Sequence, residues 1–354
     1  MVYYLFIFAK GAKKSPELPS ISNKLPPVSV IICARNEAGN LEKNLPGFLE
    51  QNYPEFEVIV VNDCSTDNTE EVLRHLSVEY PRLKITTIKK DPKFVHGKKL
   101  ALTVGIKAAK FDTLLLSDAD CIPASTSWIQ YMIRNYNGNA EIVLGIGLYK
   151  KQKGLLNILI RCETAFIAMQ YTGLARIGKP YMGVGRNLSY KKELFFKNRG
   201  FASHLGIESG DDDLFIGEVS NKNNTAVENH PGSFTYSEPE RKFREWIRQK
   251  QRHLTTSKFY QQSVKRILGV EYISRMLMVV GFLALLIRFD FPLIALGVYI
   301  LNLLVKGIIY NIVFNRYHEK YLFLPAIILE GILPFLYGYL HFINYIERKR
   351  NRWQ

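Results

Sequence analysis

The last quarter of the chain contains three long apolar segments, and they constrain the fold more than any other feature of the sequence. They cover residues 272–287, 291–314 and 321–346. The second and third reach the roughly 20 residues that a helix needs to cross a bilayer. The first is shorter, so we expect it to lie in the membrane interface or to be re-entrant. The sequence therefore predicts transmembrane or interfacial helices over 272–346.

Positive charge is concentrated directly before these segments. The chain has a formal net charge of +15, and residues 241–267, within a basic segment at 241–271, hold nine Lys and Arg against one Glu. A second basic stretch forms the tail at 347–354. Basic residues beside a membrane favour its cytoplasmic side and bind anionic headgroups, so nucleic acid is not needed to explain the charge. We expect an integral protein of a bacterial inner membrane, with the larger domain that precedes the basic segment on the cytosolic side.

The two basic stretches also bear on the number of membrane crossings. If both lie on the cytoplasmic side, the chain between them must cross an even number of times. This is a second reason to place the segment at 272–287 in the interface. Lys306 and Glu330 lie inside the two longer segments, where a mutual ion pair, a contact with a lipid substrate and snorkelling near a tilted helix end are all compatible with the sequence.

Residues 1–27 comprise an apolar stub and a linker rich in Pro, Ser and Lys. The apolar run is too short to span a bilayer and no basic residues precede it, so it is not typical of a signal peptide. It is similar to the end of a membrane anchor, and a short interfacial segment is equally compatible. The four cysteines stand far apart without metal-ligand spacing, so we expect reduced thiols and no zinc site.

Residues 28–240 alternate short β-branched runs with segments of helical period, which is the pattern of an α/β domain with a parallel sheet. The predicted strands are 28–33, 57–62, 83–88, 113–117 and 141–145. Polar or acidic residues follow these runs. Because open α/β sheets bind ligands beyond the carboxyl ends of their strands, we expect the functional site there.

Acidic residues follow the first, second and fourth predicted strands. Glu37 and Asp63 are placed to accept hydrogen bonds from a base or a ribose, contacts that hold a nucleotide without a glycine-rich phosphate loop. Asp118 and Asp120 are two apart in extended chain and project to one side. Paired carboxylates completed by phosphate oxygens are a usual ligand set for Mg²⁺ or Mn²⁺. Lys98, at a predicted helix start, is positioned to meet a diphosphate.

Three further motifs lie beyond residue 180. They are a polar loop with Gly183, Gly185 and Asn187, the carboxylates Asp211, Asp212 and Asp213, and the pair Gln249 and Arg252 on one face of a predicted helix. The loop is expected to be flexible. Repulsion should raise the pKa of at least one of the adjacent carboxyls, which suits a general base, although a second metal site or an acidic helix start has the same composition. The helix pair is suited to a departing diphosphate or to lipid headgroups.

Taken in order, these motifs resemble the processive-type branch of glycosyltransferase family 2, which includes cellulose, chitin and hyaluronan synthases and ceramide glucosyltransferases. The resemblance covers residues 28–267 and consists of ARNE at 34–37, ND at 62–63, GK at 97–98, DxD at 118–120, an acidic site at 211–213 and a QxxRW-like site at 249–253. It implies a GT-A domain with a Rossmann-like mixed sheet. It also implies a nucleoside-diphosphate sugar donor, a divalent cation and a lipid or glycan acceptor.

The resemblance implies a role for each motif. Glu37 and Asp63 would hold the nucleotide, Lys98 and Asp118 the diphosphate region, Asp120 together with Asp118 the metal, and Gln249 and Arg252 the donor diphosphate. Ala34 and His253 are further donor-binding candidates, and Gly183, Gly185 and Asn187 form the candidate acceptor loop. Asp212 is the predicted general base, with Asp211 and Asp213 as the alternatives. The function predicted is inverting, metal-assisted transfer from a nucleoside-diphosphate sugar, with a UDP-sugar as the expected donor.

Two departures from the family pattern leave alternatives open. His253 stands where the motif has Trp, so hydrogen bonding replaces stacking there, and the acidic site reads GDDD, which leaves its register open. A polyprenyl-phosphate sugar transferase and a non-catalytic sugar-nucleotide or lipid-binding scaffold are the alternative functions. The short membrane part favours one or a few sugar additions. The sequence indicates neither the sugar nor the oligomeric state.

Overall fold

The computed structural model describes residues 3–13, 15, 25–91, 97–136, 138–207, 209–288 and 291–350, with backbone alone over 347–350. The chain divides into two compact units. The sheet unit contains residues 14–150 and 178–238. The helical unit contains residues 1–13, 151–177 and 239–354. Most of the predicted linker, the side chains of 347–350 and residues 351–354 of the basic tail lie outside the described residues.

The sheet unit contains every strand found among the described residues. They are β1 (Val28–Ala34), β2 (Phe56–Asp63), β3 (Leu83–Ile88), β4 (Thr113–Asp118), β5 (Cys121–Pro123), β6 (Ile142–Leu144), β7 (Gly147–Tyr149), β8 (Leu188–Lys191), β9 (Thr225–Val227) and β10 (Thr235–Ser237). Seven form one sheet in the order β3-β2-β1-β4-β8-β6-β9, and the other three form a small sheet in the order β5-β10-β7. The first four strands of the large sheet are parallel, whereas β8 runs antiparallel to both of its neighbours.

The helices are divided between the two units. In chain order they are α1 (Ala9–Gly11), α2 (Ala38–Leu49), α3 (Thr69–Glu79), α4 (Lys98–Ala108), α5 (Trp128–Ile133), α6 (Leu155–Arg176), α7 (Lys192–Lys197), α8 (Asp213–Val219), α9 (Phe243–Leu254), α10 (Gln262–Arg288), α11 (Pro292–Arg316) and α12 (Phe323–Arg350). Helices α2 to α5, α7 and α8 belong to the sheet unit. The others belong to the helical unit, together with a π-helical turn at Tyr4–Phe8.

The first strands of the sheet unit could be predicted from the sequence because they are buried in its core. All eight residues of β2 are buried, and β1 is buried except for the half-buried Cys33. Such continuous apolar runs are typical of parallel strands that are covered on both faces. Phe48 of α2 meets Trp128 of α5 edge-on at 5.3 Å within the layer that covers one face.

The five predicted strands are confirmed, but five short strands were not predicted. These are β5, β7, β8, β9 and β10, of three or four residues each. A run that short carries too little periodicity to be recognised. Strand β8 begins within residues 183–190, which we expected to be a flexible loop, and that expectation is wrong for 188–190 because β8 pairs with both β4 and β6 inside the large sheet.

Among the described residues of the helical unit, three helices are long and apolar enough to cross a membrane. They cover Gln262–Arg288, Pro292–Arg316 and Lys320–Ile346. The segment at 272–287 was expected in the interface partly because it was too short. Its helix in fact begins ten residues earlier, within the basic segment, and is 27 residues long. The length argument for an interfacial position therefore fails.

A buried ionic cluster joins the three long helices. Lys306 and Glu330 form an ion pair of 2.5 Å. Of the three interpretations of these residues, the mutual ion pair is therefore confirmed. Arg275 of α10 lies 3.0 Å from the same carboxylate, and the hydroxyl of Tyr4 donates to it at 2.9 Å. Each of these buried charged side chains contacts a group of opposite charge, which offsets the cost of removing it from water.

The N-terminal apolar residues are a packed part of the helical unit. Tyr4 and Phe8 are buried, and α1 packs against α6. A Cβ on Gly173 would collide with the carbonyl oxygen of Ile7, and one on Gly11 would lie 2.7 Å from a carbonyl oxygen of α6. The two glycines thus allow the backbones to approach closely, as small residues do between membrane helices.

The helical unit includes a long segment of the expected domain at 28–240. Residues 151–177, which include α6, were assigned to the domain at 28–240 but belong to the helical unit. The reason is visible in the buried charges of α6, since Arg161 pairs with Glu319 and Glu163 pairs with Lys250 of α9 at 2.6 Å. A local helical pattern does not reveal such distant partners.

We expect Glu163→Gln to lower the free energy of unfolding by about 3 kcal/mol, because it leaves Lys250 without its counter-charge in a buried position. The two side chains are 1% and 12% exposed. Thermal unfolding of the detergent-purified chain measures the effect. Glu245→Gln is the matched control on α9, since its pair with Lys242 is exposed and should contribute less than about 1 kcal/mol. Equal shifts in the two variants would contradict the prediction.

Candidate functional site

The loops after β1 and β2 are tied to each other by hydrogen bonds. The backbone N–H of Asn36 donates to Ser65 Oγ at 2.9 Å, and the N–H of Thr66 donates to Asn36 Oδ1 at 2.8 Å. Asn36 and Cys64 adopt left-handed conformations with φ of 57° and 55°. Non-glycine residues in this region are uncommon and concentrate at functional sites.

These loops carry the residues predicted to hold a nucleotide. Ala34 pairs in register with Asn62, so Glu37 and Asp63 follow neighbouring strand ends. Asp63 is buried, whereas Glu37 is half-buried and accepts a hydrogen bond from Asn40 at 2.6 Å. Glu37 also acts electrostatically on Asp120. The structure therefore brings the first two acidic motifs toward the third.

Lys98 connects the motif at the start of α4 to two acidic motifs. Its Nζ lies 2.7 Å from Asp118 Oδ1 and 3.4 Å from Asp211 Oδ2. Removal from water lowers the pKa of Lys98, but the carboxylates of Asp118, Asp211 and Asp212 outweigh this effect and hold that pKa well above its ordinary value. Lys98 is therefore a permanent cation at the carboxyl end of β4.

Asp118 and Asp120 form the group best suited to a divalent cation. Ligand atoms of Asp118, Asp120 and the neighbouring Cys121 all lie within 4.8 Å of one another. Burial and the charge of Asp118 raise the pKa of Asp120 to about 6, against the opposing effect of Arg186. Burial also holds the pKa of the Cys121 thiol well above its ordinary value. Two carboxylates and a protonated thiol fit a hard cation held through oxygen, such as Mg²⁺ or Mn²⁺.

The three adjacent aspartates at the start of α8 have different environments. Burial and the charges of Asp211 and Asp213 raise the pKa of Asp212 to about 7, against the opposing effect of Lys98. Burial acts in the same direction on Asp211, but the charge of Lys98 prevails and the pKa of Asp211 is lowered. Asp212 is half-buried, whereas Asp211 and Asp213 are buried. Of the three, Asp212 has the pKa that general-base catalysis near neutral pH requires.

The glycine loop supports the acidic site through its backbone. The N–H of Gly185 donates to Asp212 Oδ2 at 2.8 Å, and a Cβ on Gly185 would lie 3.2 Å from Lys98 Nζ. A Cβ on Gly183 would lie 2.9 Å from the side chain of Leu188. Gly183 therefore permits close packing, while Gly185 lies between the GK and GDDD motifs.

Asn187 does not have the exposed position that an acceptor-binding side chain needs. It is fully buried, its Nδ2 donates to two backbone carbonyls at 2.8 Å, and its Oδ1 accepts from Trp128 Nε1 at 3.1 Å. The assignment of its side chain to acceptor contact is therefore corrected. Asn187 instead joins the end of β6 to the segment before β10.

The sequence reasoning missed two basic residues around the site. Arg186 stacks on the ring of Tyr149 with its guanidinium 4.5 Å from the ring centre. Lys99 is buried and donates to the carbonyls of His204 and Ile207 at 2.6 and 2.7 Å. Lys99 thereby holds the segment that leads to the three aspartates. Lys99 adjoins the GK motif and Arg186 lies in the glycine loop, but neither position indicated its contacts.

The remaining predicted residues lie on α9 of the helical unit. Gln249 is half-buried, and Arg252 and His253 are exposed. Helix α9 is held in that unit by the fully buried Trp246 and by Lys250. The role of Gln249, Arg252 and His253 toward a donor stays a prediction.

Comparison with known proteins finds similarity to glycosyltransferases, which agrees with the acidic and basic groups of this site. A profile of the family described as glycosyl transferase family 2 matches residues 29–196. The poly-beta-1,6-N-acetyl-D-glucosamine synthase of Staphylococcus epidermidis is 30% identical over 173 residues, which are 47% of this chain and 39% of the synthase. The probable glycosyltransferase YdaM of Bacillus subtilis is 26% identical over 265 residues, which are 71% of this chain and 62% of YdaM. The chain thus spans less than two thirds of the length of these curated relatives.

A solved structure extends the similarity to the fold. The mannosyltransferase PcManGT from Pyrobaculum calidifontis, in complex with GDP-Man and Mn²⁺, superposes with a TM-score of 0.58 at 19% identity, over 94% of each chain. The expected α/β fold with a mixed sheet and apolar C-terminal helices is confirmed. The chain is therefore similar to glycosyltransferase family 2 over residues 29–196 and has the mixed α/β GT-A fold.

Proposed function

We propose that this chain is a membrane-bound, inverting glycosyltransferase that moves a sugar from a nucleoside-diphosphate donor to a hydroxyl of a glycan or lipid acceptor. The observation that carries the proposal is the convergence of Lys98, Asp118, Asp211 and Asp212 at one end of the large sheet. A cation for the phosphates and a carboxyl with a pKa of about 7 are the two groups that such a transfer needs.

In the proposed mechanism, Asp212 accepts the proton of the acceptor hydroxyl. The acceptor oxygen forms a bond to the anomeric carbon while the bond from that carbon to the phosphate oxygen breaks, and the electron pair leaves with the nucleoside diphosphate. A single displacement of this kind inverts the anomeric carbon. The Gly185 N–H orients Asp212 Oδ2, and the N–H of Asp213 donates to Oδ1 at 2.8 Å. These two bonds hold the base in one position.

Asp118 and Asp120 would hold a divalent cation, which supplies positive charge to the departing diphosphate when bound. Lys98 lies beside Asp118 and adds a resident positive charge on the same side. The PcManGT structure contains Mn²⁺ and GDP-Man, which supports the choice of cofactor and donor class. The family resemblance implies that Gln249 and Arg252 also act on the donor diphosphate.

The acceptor is proposed from the membrane segments and the relatives. Three helices able to cross a membrane would keep the enzyme beside lipid or a membrane-attached glycan. The Staphylococcus relative is named as the synthase of a glucosamine polymer, which supports a glycan acceptor. The basic segment before α10 supports a cytosolic catalytic site at a bacterial inner membrane, where anionic headgroups attract Lys and Arg.

Release of nucleoside diphosphate by the detergent-purified chain tests the proposal. A panel of UDP- and GDP-sugars is incubated with Mn²⁺, Mg²⁺ or EDTA, with and without membrane lipid extract as a source of acceptor. We expect turnover of one donor, dependent on the cation and stimulated by the extract. Stimulation by a polyprenyl phosphate alone would instead establish the alternative acceptor. Failure to bind any nucleoside diphosphate, with or without metal, would contradict the proposed function.

A further inference from the structure

Arg186 is held by its backbone against the strand that carries the DxD motif. Its carbonyl oxygen accepts hydrogen bonds from Ser117 Oγ at 3.0 Å and from Thr235 Oγ1 at 2.9 Å. Ser117 directly precedes Asp118. The next residue, Asn187, is fully buried and hydrogen-bonded. The position of the Arg186 backbone relative to the metal-binding acids is therefore set by hydrogen bonds to β4, to β10 and to the carbonyl of Ile146.

The side chain of Arg186 occupies a defined slot. It runs across Gly147, where a Cβ would lie 2.5 Å from both Arg186 Cγ and Nε. It then stacks on Tyr149, the last residue of β7. The absence of a side chain at Gly147 and the face of the Tyr149 ring together define the direction of the guanidinium of Arg186, which is half-buried as a residue.

The small sheet places this slot beside Asp120. Tyr149 pairs with Ser237 of β10, and Ser237 pairs with Cys121 of β5, which directly follows Asp120. Neighbouring strands lie about 4.8 Å apart, so a long arginine side chain can extend from the Tyr149 side toward the acid. The charges of Arg186 and Asp120 act on each other accordingly.

We propose that Arg186 binds the donor diphosphate and that, before a divalent cation arrives, it serves as the counter-charge of Asp120. This inference rests on the proposed function. Lys98 already pairs with Asp118 and Asp211, so Arg186 supplies the matching charge for the second acid of the DxD motif. When a cation takes Asp120, the guanidinium is released for phosphate oxygens, for which its planar donor geometry is well suited.

The proposal predicts that one variant binds Mn²⁺ more tightly and the nucleoside diphosphate more weakly. In the detergent-purified full chain, Arg186→Met should bind Mn²⁺ several-fold more tightly in the absence of nucleotide, because the competing cation is gone. The same variant should bind the nucleoside diphosphate about tenfold more weakly at saturating Mn²⁺, because a charge-assisted hydrogen bond is lost. Binding of the corresponding nucleoside should be unchanged. Calorimetry measures all three affinities.

Two further variants separate this role from a structural one. Arg186→Lys keeps the charge and should recover part of the diphosphate affinity. Arg82→Met is the matched control, since Arg82 also stacks on a ring, that of Phe56 at 4.4 Å, but at the opposite end of the sheet. It should change none of the affinities.

The outcomes distinguish this inference from the proposed function. Weaker binding of both Mn²⁺ and diphosphate in Arg186→Met would indicate damage to the fold of the site and would overturn the inference. Unchanged binding of both would overturn it as well. A wild-type chain that binds no nucleoside diphosphate would overturn the inference together with the proposed function.

Discussion

Replacing Asp212 by asparagine is expected to slow sugar transfer roughly 10²- to 10⁴-fold while nucleoside diphosphate binding stays within a few-fold of wild type. The amide has nearly the shape of the carboxylate but cannot accept the proton of the acceptor hydroxyl. The assignment also predicts a pH profile. Since burial and the neighbouring acids raise the pKa of Asp212 to about 7, kcat/KM should rise as pH increases through that value and Asp212 loses its proton. The variant should lack this rise.

Two other aspartates serve as controls for this result. Asp112→Asn alters an exposed acid that pairs with Lys191 at 3.7 Å away from the site, and it should leave transfer unchanged. Asp211→Asn removes an ion-pair partner of Lys98, so its main effect should be on donor binding. If Asp211→Asn abolishes turnover with donor binding intact while Asp212→Asn remains active, then Asp211 and not Asp212 is the base.

Replacing Asp120 by asparagine is expected to lower metal-dependent turnover roughly 10²-fold or more and to weaken Mn²⁺ binding at least about tenfold. Asp120 is one of only two carboxylates among the described ligand atoms of this cluster, so an uncharged amide removes half of its negative charge. Calorimetric titration of Mn²⁺ and donor turnover at increasing metal concentration measure the two effects. High metal should restore part of the activity.

Cys121→Ala is the matched control for the metal assignment. The thiol lies beside the carboxylates, but burial keeps it protonated and its Sγ lies 3.0 Å from Ser237 Oγ. Mn²⁺ affinity should therefore stay unchanged in this variant. Normal turnover and Mn²⁺ binding in Asp120→Asn would show that the metal assignment is wrong. Loss of Mn²⁺ binding in Cys121→Ala would show that the thiol is a ligand.

Local patterns in the sequence were sufficient to predict the parallel strands and the acidic residues at their carboxyl ends. A buried parallel strand is a continuous apolar run, and the residue after it lies at the carboxyl edge of the sheet in any such fold. Glu37, Asp63, Asp118 and Asp120 could therefore be predicted as site residues. The apolar C-terminal segments could also be predicted, because spanning a bilayer requires a minimum length of apolar chain.

Contacts between distant residues had to come from the tertiary structure. The three aspartates at 211–213 look alike in the sequence. In the structure, burial and the neighbouring carboxylates raise the pKa of Asp212, whereas at Asp211 the charge of Lys98 outweighs burial and lowers the pKa. Arg186 gains its role from Gly147 and Tyr149, nearly forty residues earlier. The periodic patterns of apolar residues in strands and helices depend on residues that are close together in the sequence. The protonation, burial and orientation of the site side chains depend on residues that are distant in the sequence and that only folding brings together.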